Sequence, residues 1–172
     1  MNRITAPATY EGADEIARVH VRSWQVAYAD ILDREFLASL SVEERAMQWR
    51  RLFLQTTSQT LLPSQDGCVI GFINFGSCQD EGTSQDQGEI WALYAEPSVW
   101  GQGVGRALLE QAVQQSRSRG YGSTSLWVLS QNRRGITFYE TFGFRHVQGS
   151  EKQFNLGGRQ VEEVRFHLRL KV

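Results

Sequence analysis

A mixed α/β domain is predicted by three observations on this chain. Helical and strand-like periodicities follow one another irregularly, unlike the regular alternation of a parallel α/β sheet. A strand-like segment passes through a glycine-rich loop straight into a helix, over residues 89–109. Hydrophobic residues make up 41% and charged residues 22% of the chain, a globular rather than a disordered balance. At 172 residues, a single domain, 1–172, accounts for the whole length and can bury one substantial core.

Taken in order, residues 4–8 read as a short first strand. Residues 14–29 place Ile16, Val19, Ser23, Trp24 and Ala27 at helical spacing. A helical pair follows at 34–40 and 41–55, where Ser41 and Glu44 have the form of a capping box. The chain then turns apolar and β-branched or aromatic at 60–62 and 68–77, a hairpin broken by the turn cluster Pro63-Ser64-Gln65-Asp66-Gly67. Residues 79–87 are polar and read as a mobile surface loop. Residues 89–95 form the next strand. The helix at 103–119 carries Val104, Ala107, Leu108 and Ala112 on one face and closes at Gly120. A strand at 123–129 and a short helix at 133–141 ending at Gly143 come next. The last strands are 144–148 and 161–170, with Asn155-Leu156-Gly157-Gly158 marking the turn of a 148–160 hairpin.

A formal net charge of -1 gives no global pull toward nucleic acid or an anionic membrane, so neither is an expected partner. Residues 1–10 are too polar for a secretory segment, and no apolar run approaches the roughly 18 residues of a membrane span. A cytoplasmic location is the expectation. Cys68 and Cys78 lack metal-ligand spacing and are expected to be free, buried thiols. His20, His146 and His167 are scattered, and no metal is expected.

The loop Trp100-Gly101-Gln102-Gly103-Val104-Gly105 is a place to put a phosphate. Glycines let the backbone approach a ligand, and amides at a helix start lack intrahelical partners and sit at the positive end of the macrodipole. Spacing separates the candidates. A P-loop needs Gly-Lys-Ser/Thr, but Arg106 and Ala107 follow Gly105. A dinucleotide loop starting at Gly101 and Gly103 needs glycine at 106, and no acidic residue stands near 129–130 to hold a ribose.

The third candidate covers most of the chain. Glu89-Ile90-Trp91-Ala92-Leu93-Tyr94-Ala95-Glu96-Pro97 leads to Gly103-Val104-Gly105-Arg106-Ala107-Leu108-Leu109. A second block runs from Asn132 through Phe138-Tyr139-Glu140-Thr141-Phe142-Gly143-Phe144. Together they resemble the GNAT superfamily of acetyl-CoA-dependent N-acetyltransferases. One departure is Trp100, where the family pattern has Gln or Arg; Gln102 or Arg106 is expected to compensate.

The resemblance implies a central mixed, mostly antiparallel twisted sheet flanked by helices, with a splayed strand pair at the cofactor site. It implies acetyl transfer from acetyl-CoA to a primary amine of a small molecule, by direct attack in a ternary complex. Amides of Gly101, Gln102, Gly103, Val104, Gly105 and Arg106 would hold the diphosphate. The strand end at Leu93, Tyr94 and Ala95 would pair with the pantetheine arm and supply an oxyanion N–H. Glu89 would be the general base, directly or through water, its apolar neighbours raising its pKa; the alternative is a strand-end carboxylate paired with Arg or Lys. Tyr139 would protonate the departing thiolate, or else pack beside Phe138 and Phe142 with its hydroxyl at the edge. Asn132 would cap the following helix, touch the cofactor, or both. Trp24 and Tyr28, four apart on the first helix, and Trp91 on the cofactor strand are either acceptor-pocket residues or core.

Other readings stay open at this point: a protein lysine or N-terminus as acceptor, a non-catalytic CoA-binding sensor of the same fold, and, less well matched, a nucleotide-binding module. A homodimer through the last strands is a further expectation.

Overall fold

In the computed structural model of the chain, residues 3–55 and 58–170 are described, without the side chains of residues 3 and 4. The elements are β1 (Arg3–Pro7), α1 (Ala13–Ala27), α2 (Arg34–Ser39), α3 (Val42–Gln55), β2 (Gln59–Gln65), β3 (Cys68–Val69), β4 (Gly71–Ser77) and β5 (Gln87–Ala95). After these come α4 (Val104–Ser118), β6 (Ser123–Leu129), α5 (Arg133–Phe142), β7 (Arg145–His146), β8 (Lys152–Leu156) and β9 (Arg159–Arg169). Among the described residues these strands form one sheet in the order β1-β2-β4-β5-β6-β9-β7, with β3 beside β2 and β8 beside β9. The pairing of β5 with β6 is parallel; the neighbouring pairings β4 with β5 and β6 with β9 are antiparallel.

Strand alternation sends side chains to two helix-covered faces. On one, Phe75, Ile90, Leu126 and Phe166 pack with Leu108 and Leu109 of α4 and with Phe144. On the other, Phe72 and Val69 meet Ile16, Ala17 and Val19 of α1 and Trp49 of α3. Phe72, Phe75, Phe144 and Phe166 are fully buried, and each contributes roughly 1.5–3 kcal/mol by removal from water. A third cluster, Tyr28, Ile31, Leu32, Leu37, Leu129 and Val161, ties the α1–α2 connection to β6 and β9. No helix among the described residues is long and apolar enough to cross a membrane.

Helix starts follow the local chemistry. Asp33 accepts the N–H groups of Glu35 and Phe36 at α2, and Ser41 accepts that of Glu44 at α3, half of the expected capping box.

Four expectations are corrected. Pro63 and Ser64 lie inside β2 rather than in a turn. Pro63 stands where the ladder passes from β3 to β4, and its carbonyl accepts the Ile70 N–H, so its missing donor disturbs little there. The polar β8 is a strand that periodicity did not reveal, because it is an exposed ribbon paired only with β9. Ala107 is exposed rather than on the buried face of α4, whose inner stripe is Val104, Leu108, Leu109, Ala112 and Val113. Both cysteines are free, but Cys68 is exposed and Cys78 half-buried, since Cys68 opens β3 beside a turn and Cys78 lies just past the end of β4. The segment 79–87 is anchored at Asp80, which accepts the Trp127 indole N–H at 3.0 Å and pairs with Lys152 at 3.2 Å and Arg165 at 3.4 Å.

Candidate active site

The cleft begins where two strands part. β5 and β6 pair from Gln87 opposite Ser123 to Ile90 opposite Leu126 and no further, although β5 runs on to Ala95 and β6 to Leu129. The cause is visible on the other edge of β5. Phe75 of β4 faces Ile90 and Asn74 faces Ala92, which leaves Trp91 as the extra residue of a β-bulge. A bulge bends its strand and increases the local twist, turning the end of β5 away from β6. The Glu96 N–H bonds the Ile70 carbonyl on the β4 side. By strand alternation the N–H groups of Leu93 and Ala95 then point the other way, into the wedge.

A cavity of about 780 Å³ occupies this wedge and runs from the glycine loop to a recess near α1 and β8. Its lining includes Trp24, Tyr28, Trp91, Leu93, Tyr94, Ala95, Gly101, Gly103, Val104, Gly105, Arg106, Asn132 and Tyr139. The fold therefore brings nearly all the expected site residues to one place. Gln102 and Glu89 are not in the lining.

At the loop end, Gly101 and Gly103 have φ of 75° and 82°, with open space where a Cβ would stand. Both facts favour glycine and leave room for a ligand against the backbone. The first amide of α4 with an intrahelical acceptor is that of Ala107, bonded to the Gly103 carbonyl. The N–H groups of Val104, Gly105 and Arg106 are therefore free of intrahelical partners. Trp100 folds back, its indole N–H donating to the Ala95 carbonyl at 2.8 Å, and the Arg134 guanidinium stacks over its ring at 4.0 Å. The side chain of Gln102 bonds the Ser98 carbonyl, and that of Arg106 pairs with Glu110 at 2.9 Å. The cation steered to the loop by the unusual Trp100 is Arg134, a residue sequence reasoning missed. A cue existed: Arg133 and Arg134 put positive charge in the first turn of α5, without an acidic residue there, against the helix dipole.

Asn132 caps α5, accepting the Gly135 N–H at 2.9 Å, and lines the cavity as well. Gly135 permits that approach, since a Cβ there would lie 2.6 Å from the Asn132 amide nitrogen. Tyr139 packs edge-on against Phe138 and Phe144. Burial pushes its phenol well above the ordinary value, and neighbouring Tyr94 adds to the shift. The Tyr94 hydroxyl meets that of Tyr28 at 3.1 Å, and its ring stacks on His20 at a centroid distance of 4.8 Å. His20 is buried and neutral, its pKa lowered to about 3 by desolvation and by Arg45, and its Nδ1 accepts the Trp49 indole N–H.

Glu89 sits two residues before the bulged Trp91, buried. Its carboxylate accepts the Gln79 N–H at 3.0 Å. Burial raises its pKa, Asp80 adds to the shift, and the Gln79 N–H, Cys78 and Arg165 oppose it. Besides Arg134, the sequence reading missed Trp127, Phe154, Leu156 and Glu163, which close the recess from β6, β8 and β9.

A helix start with free amides, an open strand edge beside it and an aromatic recess beyond share one cleft, an arrangement that suits group transfer. The model of the acetyltransferase (GNAT) family matches residues 18–144, and the chain belongs to that family. It is an acyltransferase of the N-acetyltransferase type. An uncharacterized N-acetyltransferase of Bacillus subtilis, YuaI, is 32% identical over 157 residues, 91% of this chain and 87% of the relative. Mycothiol acetyltransferase of Kocuria rhizophila is 30% identical over 135 residues, covering 77% of this chain and 43% of that longer protein. The PaiA N-acetyltransferase of Thermoplasma acidophilum, solved with coenzyme A, shares the fold at a TM-score of 0.77 and 21% identity, over 98% of this chain and 99% of that one. An N-acetyltransferase of Staphylococcus aureus Mu50 does so at 0.78 and 19% identity, over 99% and 100%.

Proposed function

We propose that the protein transfers the acetyl group of acetyl-CoA to the primary amine of a small molecule, by direct attack within a ternary complex. The observation that carries this reading is the continuity of the cleft from the glycine loop, through the wedge between β5 and β6, to the aromatic recess. The residues fit the donor. The open space at Gly101 and Gly103 and the amides of Val104, Gly105 and Arg106 suit a diphosphate, and the free edge of β5 suits an arm that carries amides. The PaiA structure holds coenzyme A in the same fold. Acetyl-CoA supplies the activated acyl group.

In this reading the amine nitrogen forms its bond to the thioester carbon while an inward N–H of Leu93 or Ala95 stabilises the developing oxyanion. The C–S bond then breaks. Tyr139, its pKa raised, stays protonated and donates a hydrogen bond to the leaving sulfur rather than surrendering its proton outright. The ammonium proton passes through water to Glu89, since that carboxylate lies outside the cavity lining, and its raised pKa brings proton acceptance closer to neutrality. The recess suits a small acceptor because its walls are bulky side chains, Trp24, Trp91, Trp127 and Phe154, drawn from four elements around one cavity. Thiol release from acetyl-CoA in the presence of a primary-amine panel tests the reading. Amine-dependent release is expected; none with any amine would refute it.

A further inference from the structure

Three hydrogen-bond donors meet on the α1 side of the cavity. The Tyr28 and Tyr94 hydroxyls lie 3.1 Å apart. The Trp24 indole N–H is buried with no hydrogen-bond partner of good geometry, and the acceptor in its reach is the Tyr94 oxygen. All three residues line the cavity, and the Trp24 and Tyr28 rings meet edge-on. Burial raises the pKa of both phenols, so both keep their protons at neutral pH. The two hydroxyls share a single contact, so the three donors can form at most two hydrogen bonds among themselves. One proton is always left without an acceptor among the described residues. A buried donor in that state carries a desolvation cost that an incoming oxygen would remove. The charge behind the donors has the same sign. The Arg45 guanidinium of α3 lies over the Trp24 ring at 5.2 Å and acts on both Tyr94 and His20. It is half-buried and pairs with no carboxylate among the described residues. The carboxylate that shares the cavity lining, Glu163, stands on the β9 wall, with Lys152 opposite it in register to offset part of its charge.

Resting on the acetyl-transfer reading, we propose that Trp24, Tyr28 and Tyr94, backed by Arg45, bind a carboxylate of the acceptor, and that the acceptor is a primary amine that carries one. A carboxylate only accepts, so it takes the leftover proton in a charge-assisted hydrogen bond. The unpaired guanidinium favours an anion there over a neutral oxygen. Anchoring by the carboxylate leaves the amine nitrogen unengaged, free to lose its proton and attack. Tyr94 stands between Leu93 and Ala95, whose N–H groups are proposed to face the thioester oxygen, so the anchor and the reacting group adjoin. An amine without a carboxylate leaves the donors unmatched, the circumstance in which a polar site rejects an analogue most strongly.

Acetyl-transfer kinetics, with calorimetric binding to the CoA-loaded protein, test the assignment on leucine, phenylalanine and 4-aminobutyrate. Each is set beside the amine that lacks its carboxylate: isoamylamine, phenethylamine and propylamine. In at least one pair the acid is expected to show a kcat/KM roughly tenfold or more higher and a Kd lower to match. Arg45→Gln, and separately Tyr28→Phe combined with Tyr94→Phe, should raise the Kd of that acid about tenfold and leave that of its carboxylate-free partner within about twofold. General damage to the fold would weaken both members of a pair alike, so the ratio reads the site; should the double variant fail to fold, Arg45→Gln decides alone. Equal or better use of the carboxylate-free amine in every pair, binding of no acid, or a ratio unmoved by the variants would overturn this assignment, and transfer to a carboxylate-free amine would then leave the parent reading intact. Preferential binding of an acid without transfer to any of these amines would defeat the transfer reading and leave the carboxylate site standing.

Discussion

The glycine loop and the aromatic recess proposed for the acceptor occupy opposite ends of one cavity and are made in opposite ways. The loop is a contiguous segment, 101–106, that offers main-chain amides and the space left by missing side chains. The recess takes its walls from α1, β5, β6, β8 and β9, a side chain or two from each. The first tolerates changes of side chain but not of backbone geometry. The second is built of side chains, so its shape and charge follow from their identities. Substitutions should therefore separate the two ends, affecting donor and acceptor constants independently.

The largest effect is expected where the ends meet. Tyr139→Phe removes the hydroxyl proposed to face the sulfur and should lower kcat roughly a hundredfold, with little change in either KM; single-turnover measurement at saturating substrates checks it. Gly103→Val forces a β-branched residue to a φ of 82° and fills the open space at the helix start. Its expected cost of about 1–3 kcal/mol should weaken acetyl-CoA binding roughly ten- to a hundredfold and spare the amine KM. Equal loss for both substrates would break the separation of the two ends.

A smaller effect is expected below the recess floor, at His20. Its folded pKa of about 3 lies below the ordinary histidine value of 6.5. The unfolded chain therefore takes up a proton between those values while the folded one does not. The stability associated with neutral His20 is complete above pH 6.5 and declines as pH falls toward 3. His20→Gln retains an acceptor for the Trp49 indole and should flatten the fall of Tm over that range by something on the order of 5 °C. Thermal melts across pH read it directly. Arg134→Ala is expected to have the smallest effect. Loss of the stack on Trp100 and of one cation near the loop should weaken acetyl-CoA binding about three- to tenfold, more at low salt than at high, with the amine KM unmoved.

The same contrast explains which parts were legible in the sequence. The loop was readable because its chemistry is local: Gly103 before a helix, preceded by a strand, says where amides point without any knowledge of tertiary contacts. Asn132 as a cap and Gly143 as a helix stop were readable for the same reason, and the structure bears both out. Glu163 was not readable, because nothing in Val161-Glu162-Glu163-Val164 says which of two adjacent carboxylates faces a cavity; pairing with Leu129 and Lys152 decides it. Trp100 was read as a missing side chain and is instead the platform for Arg134, a contact spanning α5 and the loop. The parting of β5 from β6 belongs to both categories: family resemblance implied it, and the bulge at Trp91 supplies its cause.

The division of the cleft into a backbone-made donor end and a side-chain-made acceptor end is tested most directly by a crystal structure of the protein with coenzyme A. The diphosphate is expected within hydrogen-bonding distance of the amides between Gly103 and Arg106, with the arm along the free edge of β5 and the sulfur beside Tyr139. A diphosphate held elsewhere, or an arm lying in the recess walled by Trp24, Trp127 and Glu163, would contradict it.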